Sequence, residues 1–259
     1  MVTYIFNGKV LPTFKEFTLI GPVIAHWNDP IDPPVSIVMN ATLRITKGLV
    51  EILCESNLSG TEEYDGQVHL RANDLARTLV NCYAFGKGMG LSVILETVIK
   101  PDGIKYNIQA HRPDLEPLVT VLRSGHDGGL DIQAILPIVL TDPRIFVAVN
   151  DLVSCVTQIQ DAPIRCGRAI DAIRHSMAPA DNRKQGWQAM RENLNIDLEY
   201  LEFITNLSKG PRHGDVIGTT FSANRETIKR SWIVMNRFLE FKKRGNQRLS
   251  LSEFPLLKN

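Results

Sequence analysis

The spacing of apolar residues changes near Pro143, and that change constrains the fold of this chain more than any other feature. Before it, apolar and β-branched runs are short and separated by turn residues. After it, apolar residues recur three or four apart. A period of two belongs to half-buried strands and a period near 3.6 to amphipathic helices, so the two parts need different architectures. The expectation is an α+β chain: a mixed β-rich N-terminal domain, 1–142, followed by an all-α helical-bundle C-terminal domain, 143–259. With 259 residues in all, either part is long enough to bury a core.

Within the first part, Val35–Thr46 and Leu49–Ser56 are strand-like runs joined at Lys47-Gly48, a hairpin turn. Leu91–Lys100 and Ile104–Ala110 flank Pro101-Asp102-Gly103, where proline presets φ and glycine accepts a positive one. Between the hairpins, Asn73 is placed to cap a helix running to about Phe85. Asp114–Leu122 reads as a short helix. Gly86, Gly88 and Gly90 follow a helix and precede a strand, the reverse of a phosphate loop, so a helix C-cap and turn explain them.

In the second part, Ile145, Val149, Leu152, Val156 and Ile159 form one helical face. Asp161-Ala162-Pro163 stops that helix and starts another through Ile164, Ala169, Ile170, Ile173 and Met177. Trp187, Met190 and Leu194 make a third stripe and Leu198, Leu201 and Ile204 a fourth, with a break at Asn195 and a cap at Asp197. Ile228, Trp232, Met235 and Leu239 mark a long helix from about Ser222 to Arg244. Such helices joined by short links imply a bundle.

Hydrophobic residues are 44% of the chain and charged ones 22%, with a net charge of +1, which excludes disordered, collagen-like and coiled-coil classes. No apolar run approaches the roughly 18 residues of a membrane span, so a soluble, cytoplasmic protein with no membrane partner is expected. Cys54, Cys82, Cys155 and Cys166 are separated in sequence and read as small buried hydrophobes. They show neither metal-ligand nor disulfide-framework spacing, so no metal and no cofactor is implied. Charge divides with periodicity. Residues 1–146 carry 12 Lys and Arg against 16 Asp and Glu, and residues 147–259 carry 17 against 12. The stretch 203–248, with 10 against 3, suits a phosphate-rich partner, a solvated basic helix or docking onto an acidic surface.

Three constellations carry chemistry. Lys209-Gly-Pro-Arg212-His213-Gly-Asp215 lies between two helices, and its glycines and proline dictate a tight non-helical path. That path presents two permanent cations and an imidazole, a set able to hold a phosphodiester and move the proton of a 2′-hydroxyl. The same residues also fit a helix C-cap. Arg168 and His175, seven apart, share a helix face and repeat the pairing of phosphate clamp and proton carrier, or else form the polar flank of a bundle helix. His126 and Asp127 sit in a glycine-rich segment that reads as an exposed loop.

The C-terminal part resembles HEPN domains, small helical bundles common in bacterial toxins and anti-phage proteins. They carry an arginine and a histidine with four to six residues between them, often with glycine next. His213-Gly214 resembles the second half of that motif, with Arg212 directly abutting His213; Arg168 and His175 match the spacing on an earlier helix. The resemblance implies RNA as partner, a homodimer whose two motifs form one groove, and metal-independent ribonuclease activity. Arg212 and His213 would be its catalytic residues, with Lys209, Arg168 and His175 on the substrate. Two other readings stay open: a non-catalytic interaction or dimerisation protein with a sensing N-terminal domain, and a small-molecule enzyme using His126 and Asp127.

Overall fold

The computed structural model describes residues 1–13, 15–32, 35–108, 112–123, 131–178, 182–212 and 219–259. It divides into two compact units, Met1–Ala110 and His111–Asn259. The first is built on β1 (Val2–Leu11), β2 (Val23–Asp32), β3 (Val35–Thr46), β4 (Leu49–Ser56), α1 (Glu62–Lys87), β5 (Ser92–Ile99) and β6 (Lys105–Asn107). Its strands form one antiparallel sheet in the order β2-β3-β4-β1-β5-β6. Lys47 and Gly48 take φ of 53° and 78°, two successive left-handed residues that close the β3–β4 hairpin in register from Thr46 and Leu49. At the β5–β6 turn Gly103 has φ of 80° and the Asp102 carboxylate accepts from Ile104 N at 2.8 Å. Helix α1 lays Val68, Ala72, Leu75, Ala76 and Val80 on the sheet face formed by Tyr4, Phe6, Val10, Met39 and Ile52.

Helix α1 starts eleven residues before the expected cap. Thr61 caps it by accepting from Tyr64 N at 3.2 Å, and Glu62, Glu63 and Asp65 place negative charge on the helix N-terminus. Asn73, predicted to cap, lies buried inside the helix. At the other end, left-handed Gly88 and Met89 N donate back to the last turn, the C-cap anticipated from the glycines.

The helical unit contains α2 (Leu136–Thr141), α3 (Pro143–Thr157), α4 (Ala162–Met177), α5 (Arg183–Leu194), α6 (Leu198–Arg212) and α7 (Phe221–Lys243). Helix α4 is central, packed by α3, α5, α6 and α7, and its Cys166, Ala169, Ile170 and Ile173 have no exposed surface. Asn195, at φ 52°, ends α5, and Asp197 starts α6 by accepting from Tyr200 N at 2.8 Å. The mixed α+β class with an all-helical second part is thus present. The boundary lies at 110/111 rather than 142/143, because Leu115 and Val121 are buried in the helical core and Asn236 of α7 accepts from Thr120 N and Val121 N. Only Glu116–Leu118 of the expected Asp114–Leu122 helix is helical, as a single 3-10 turn.

Two further expectations are corrected. The path through Lys209, Gly210 and Pro211 is not a break: α6 continues to Arg212. A proline in the last turn removes one backbone donor, the bond to the carbonyl four residues back, and the preceding glycine tolerates the crowding. Of the cysteines, Cys54, Cys155 and Cys166 are buried as expected and only Cys82 departs. Cys82 is exposed, while Cys155 and Cys166 meet with sulfurs 3.8 Å apart. That contact and burial push the Cys155 thiol well above its ordinary range.

Candidate nucleic-acid interface

Arg168 and His175 share α4 but are directed to different partners. The Arg168 guanidinium is bidentate on Asp151 of α3, through Nε at 2.8 Å and through Nη2, and this carboxylate holds its pKa above the usual value. Asp151 is 4% exposed and Arg165 stands 3.5 Å away on its other side. His175 Nε2 receives a hydrogen bond from Arg174 Nη2 at 2.6 Å. Arginine has only donors, so this Nε2 is unprotonated and the ring proton sits on Nδ1. Lys209 extends from the exposed side of α6, with Nζ 2.7 Å from Asn206 Oδ1. Arg212 is the last residue of α6, and its side chain lies outside the described residues, as do His213, His126 and Asp127.

What the bundle brings together is Lys209 and Arg174, the neighbour of His175. Both line a cavity of about 510 Å³ between α4, α5 and α6, with Asp171, Arg183, Trp187, Glu202, Thr205 and Ser208 also on its wall. A second cavity, about 820 Å³, shares Arg183, Trp187 and Leu198 with the first and adds Lys184, Arg191, Glu192, Asp197 and Arg248. Trp187 is therefore a common wall, with cations on both sides. Arg174 stacks on it, Cζ 5.4 Å from the ring centroid.

Elsewhere in the unit Arg144, Arg165, Arg168, Arg230 and Arg244 are each spent on a carboxylate. Among the described residues, Arg183, Lys184, Arg191, Lys209 and Arg248 have no carboxylate partner. The acids in the cavities are partly occupied: Asp197 caps α6, Glu192 accepts from Gln188 Nε2 at 2.7 Å, and Asp171 lies 3.4 Å from Arg174 Nε. A concave surface lined by unpaired cations around an indole can hold phosphates and stack a base.

Sequence reasoning finds Lys209 but not the rest. Trp187 falls on an apolar stripe with Met190 and Leu194 and reads as core. The available signal is the spacing Arg183, Trp187, Arg191, one indole with a guanidinium one turn away on each side of a single helix face. Among the described residues no group of three or more His, Cys, Asp or Glu side chains could hold a metal ion, and no helix is long and apolar enough to cross a membrane.

No curated protein and no solved structure matches the chain. Residues 4–108 match the DUF8168 N-terminal domain and residues 132–243 match the DUF8168 C-terminal domain, both described as domains of unknown function. The two matches fall in order on the sheet-bearing unit and the helical unit, and the chain belongs to the DUF8168 family.

Proposed function

We propose that the helical unit binds single-stranded RNA across the two cavities that meet at Trp187. The observation that carries this reading is the set of five cations without carboxylate partners bordering one shared indole. Unpaired cations keep their charge available to phosphates, and an aromatic face accepts an unstacked base, which a duplex does not offer. Cleavage enters through His213, four positions after Lys209, acting as the general base or acid of a metal-independent ribonuclease of the toxin or anti-phage kind, with Arg212 on the phosphate. The test separates the two parts. Fluorescence anisotropy with a short labelled RNA should show binding that weakens steeply with salt, and Trp187→Ala should lower affinity about ten-fold. Incubation of the RNA with protein in EDTA, beside His213→Ala, reads cleavage. Salt-insensitive or absent binding would end the RNA reading, and cleavage surviving His213→Ala would remove His213 from the chemistry.

A second reading, self-association of the helical unit, is favoured by the outer face of α3. Phe146, Val147 and Val153 are 49%, 46% and 56% exposed there, large apolar side chains that neighbouring helices do not cover.

A further inference from the structure

We infer that the cavity between α4, α5 and α6 is the subsite for a terminal phosphate monoester, the phosphorylated end of the RNA strand; the inference rests on the RNA reading above. The observation is the state of Arg174. It is 6% exposed, its Nε lies 3.4 Å from Asp171 Oδ1, and its Nη2 donates to His175 Nε2 at 2.6 Å. Its Nη1 makes no hydrogen bond among the described residues. Arg174 is buried as a residue, yet Nη1 is not one of the buried side-chain atoms without a partner, so this donor stays open to solvent and available to an incoming acceptor. The side chain is also fixed in place. Trp187 lies against it, and Gly186 comes so close that a Cβ there would stand 2.9 Å from Arg174 Cγ. Arg174 therefore lines the cavity as a side chain held between Trp187 and Gly186 rather than as a mobile one.

The remaining wall selects for charge density. Arg183 and Lys209 join Arg174, while Asp171 and Glu202 oppose them. An internal phosphodiester carries one negative charge, and both flanking nucleotides must find a way out past those acids. A monoester carries up to two charges and three free oxygens, and only one side of it continues as a chain. It can accept from the guanidinium and the two other cations together without displacing the Arg174 Nε contact of Asp171. The cavity volume falls in the range of sites that enclose a small ligand, which is room for the terminal nucleotide with its base at Trp187.

The test titrates the full chain with one short oligouridine in three forms: a 5′-phosphate, a 3′-phosphate, and hydroxyls at both ends. One phosphorylated form should bind about ten-fold more tightly than the hydroxyl form, and which of the two does so identifies the strand end. Arg174→Lys should abolish that preference. Lys209→Ala, an exposed change that leaves the fold in place by circular dichroism, should cut it to about three-fold or less, so the inference does not depend on the buried variant folding. Equal binding of all three forms overturns the inference while leaving RNA binding intact. If no form binds, the RNA reading fails by itself, and titration with uridine 5′- and 3′-monophosphates against uridine decides the subsite. Preference for a monophosphate supports it, and equal or absent binding overturns it.

Discussion

Arg237 of α7 donates through Nη1 to the carbonyl oxygen of Asn195 at 2.9 Å, reaching the point where α5 ends and the chain turns into α6. The same nitrogen serves Leu194 O at 2.8 Å, and Nη2 serves Pro255 O at 2.7 Å. Asn195 in turn donates through Nδ2 to Leu249 O and Phe254 O. A left-handed helix end, the long last helix and the C-terminal segment are thus tied at one buried junction. No carboxylate neutralises Arg237 among the described residues, and burial lowers its pKa. Arg237→Met keeps the stem but removes the guanidinium donors from Leu194 O and Pro255 O and leaves Asn195 O with Leu257 N alone. It should cost about 2–4 kcal/mol in urea-induced unfolding.

His69 of α1 stacks on Phe6 of β1, ring centroids 5.8 Å apart, and burial lowers its pKa from 6.5 to about 4. The folded state therefore holds a neutral imidazole where the unfolded chain binds a proton. Stability is complete above pH 6.5, falls as pH drops toward 4, and is flat for this group below that. With the ring still partly within reach of water, the loss should be about 2 kcal/mol. Asp142 titrates in a lower window. Burial raises its pKa, but hydrogen bonds from Ser176 and Arg144 outweigh that and bring it below 3.8. Its contribution is present above pH 3.8 and disappears only as pH falls through the lower folded value. Denaturation curves between pH 4 and 7 should accordingly show a slope in the parent protein that His69→Phe flattens.

These two cases show what can be read along a chain and what cannot. The Lys47-Gly48 hairpin, the Asn195 break and the Ile228–Leu239 stripe are local, each set by a few adjacent φ preferences or one periodic face. Strand β1 is central to the sheet yet unassigned from sequence, because its pattern runs through Asn7, Gly8 and Lys9 and its partners lie about 50 and 90 residues away. The cap at Asn73 fails for a related reason: a capping residue is recognised by its type, and Thr61 followed by three acids within four residues is the stronger start. At the candidate site, Lys209 is legible as an exposed cation beside helix-breaking residues. Arg174 and Trp187 are not, since their periodicity places them on core stripes. Only the meeting of α4, α5 and α6 turns a core edge into a cavity wall.

Asp151 is enclosed by α3 and α4 with two arginines on it, and Arg168 supplies the closer pair of contacts. Removing that arginine leaves a buried carboxylate with Arg165 alone. Arg168→Ala should destabilise the protein by about 1–3 kcal/mol, mostly the desolvation of Asp151. Because Arg168 borders neither cavity, RNA affinity at a temperature well below unfolding should change less than about two-fold. Anisotropy and urea titration on the same preparation separate the two effects, and a large loss of affinity without a loss of stability would place Arg168 on the ligand.

Self-association makes a different demand on α3. If Phe146 and Val153 are covered by a second copy, Phe146→Asp forces a carboxylate into an apolar contact and should shift the mass measured by light scattering from dimer to monomer. A parent protein that elutes as a monomer at micromolar concentration removes this reading without touching the RNA proposal.

The last prediction concerns how α5 holds the cavity. Gly186 sits where a Cβ would lie 2.9 Å from Arg174 Cγ, 3.0 Å from Arg174 O and 3.6 Å from Ala178 Cβ. The backbone oxygen cannot swing aside, so alanine must push α5 away from α4 or displace the Arg174 stem. Helix propensity favours alanine over glycine by about 1 kcal/mol, and overpacking of a tight contact costs about 1–3 kcal/mol, so the net stability change should be small, near 1 kcal/mol of loss. The effect on Arg174 should be larger in proportion, because its guanidinium is placed by that contact together with Trp187. Gly186→Ala should therefore weaken RNA binding several-fold while lowering the unfolding midpoint only slightly. The reverse pattern, a large stability loss with unchanged affinity in the remaining folded protein, would show that the position of Arg174 does not matter to the ligand.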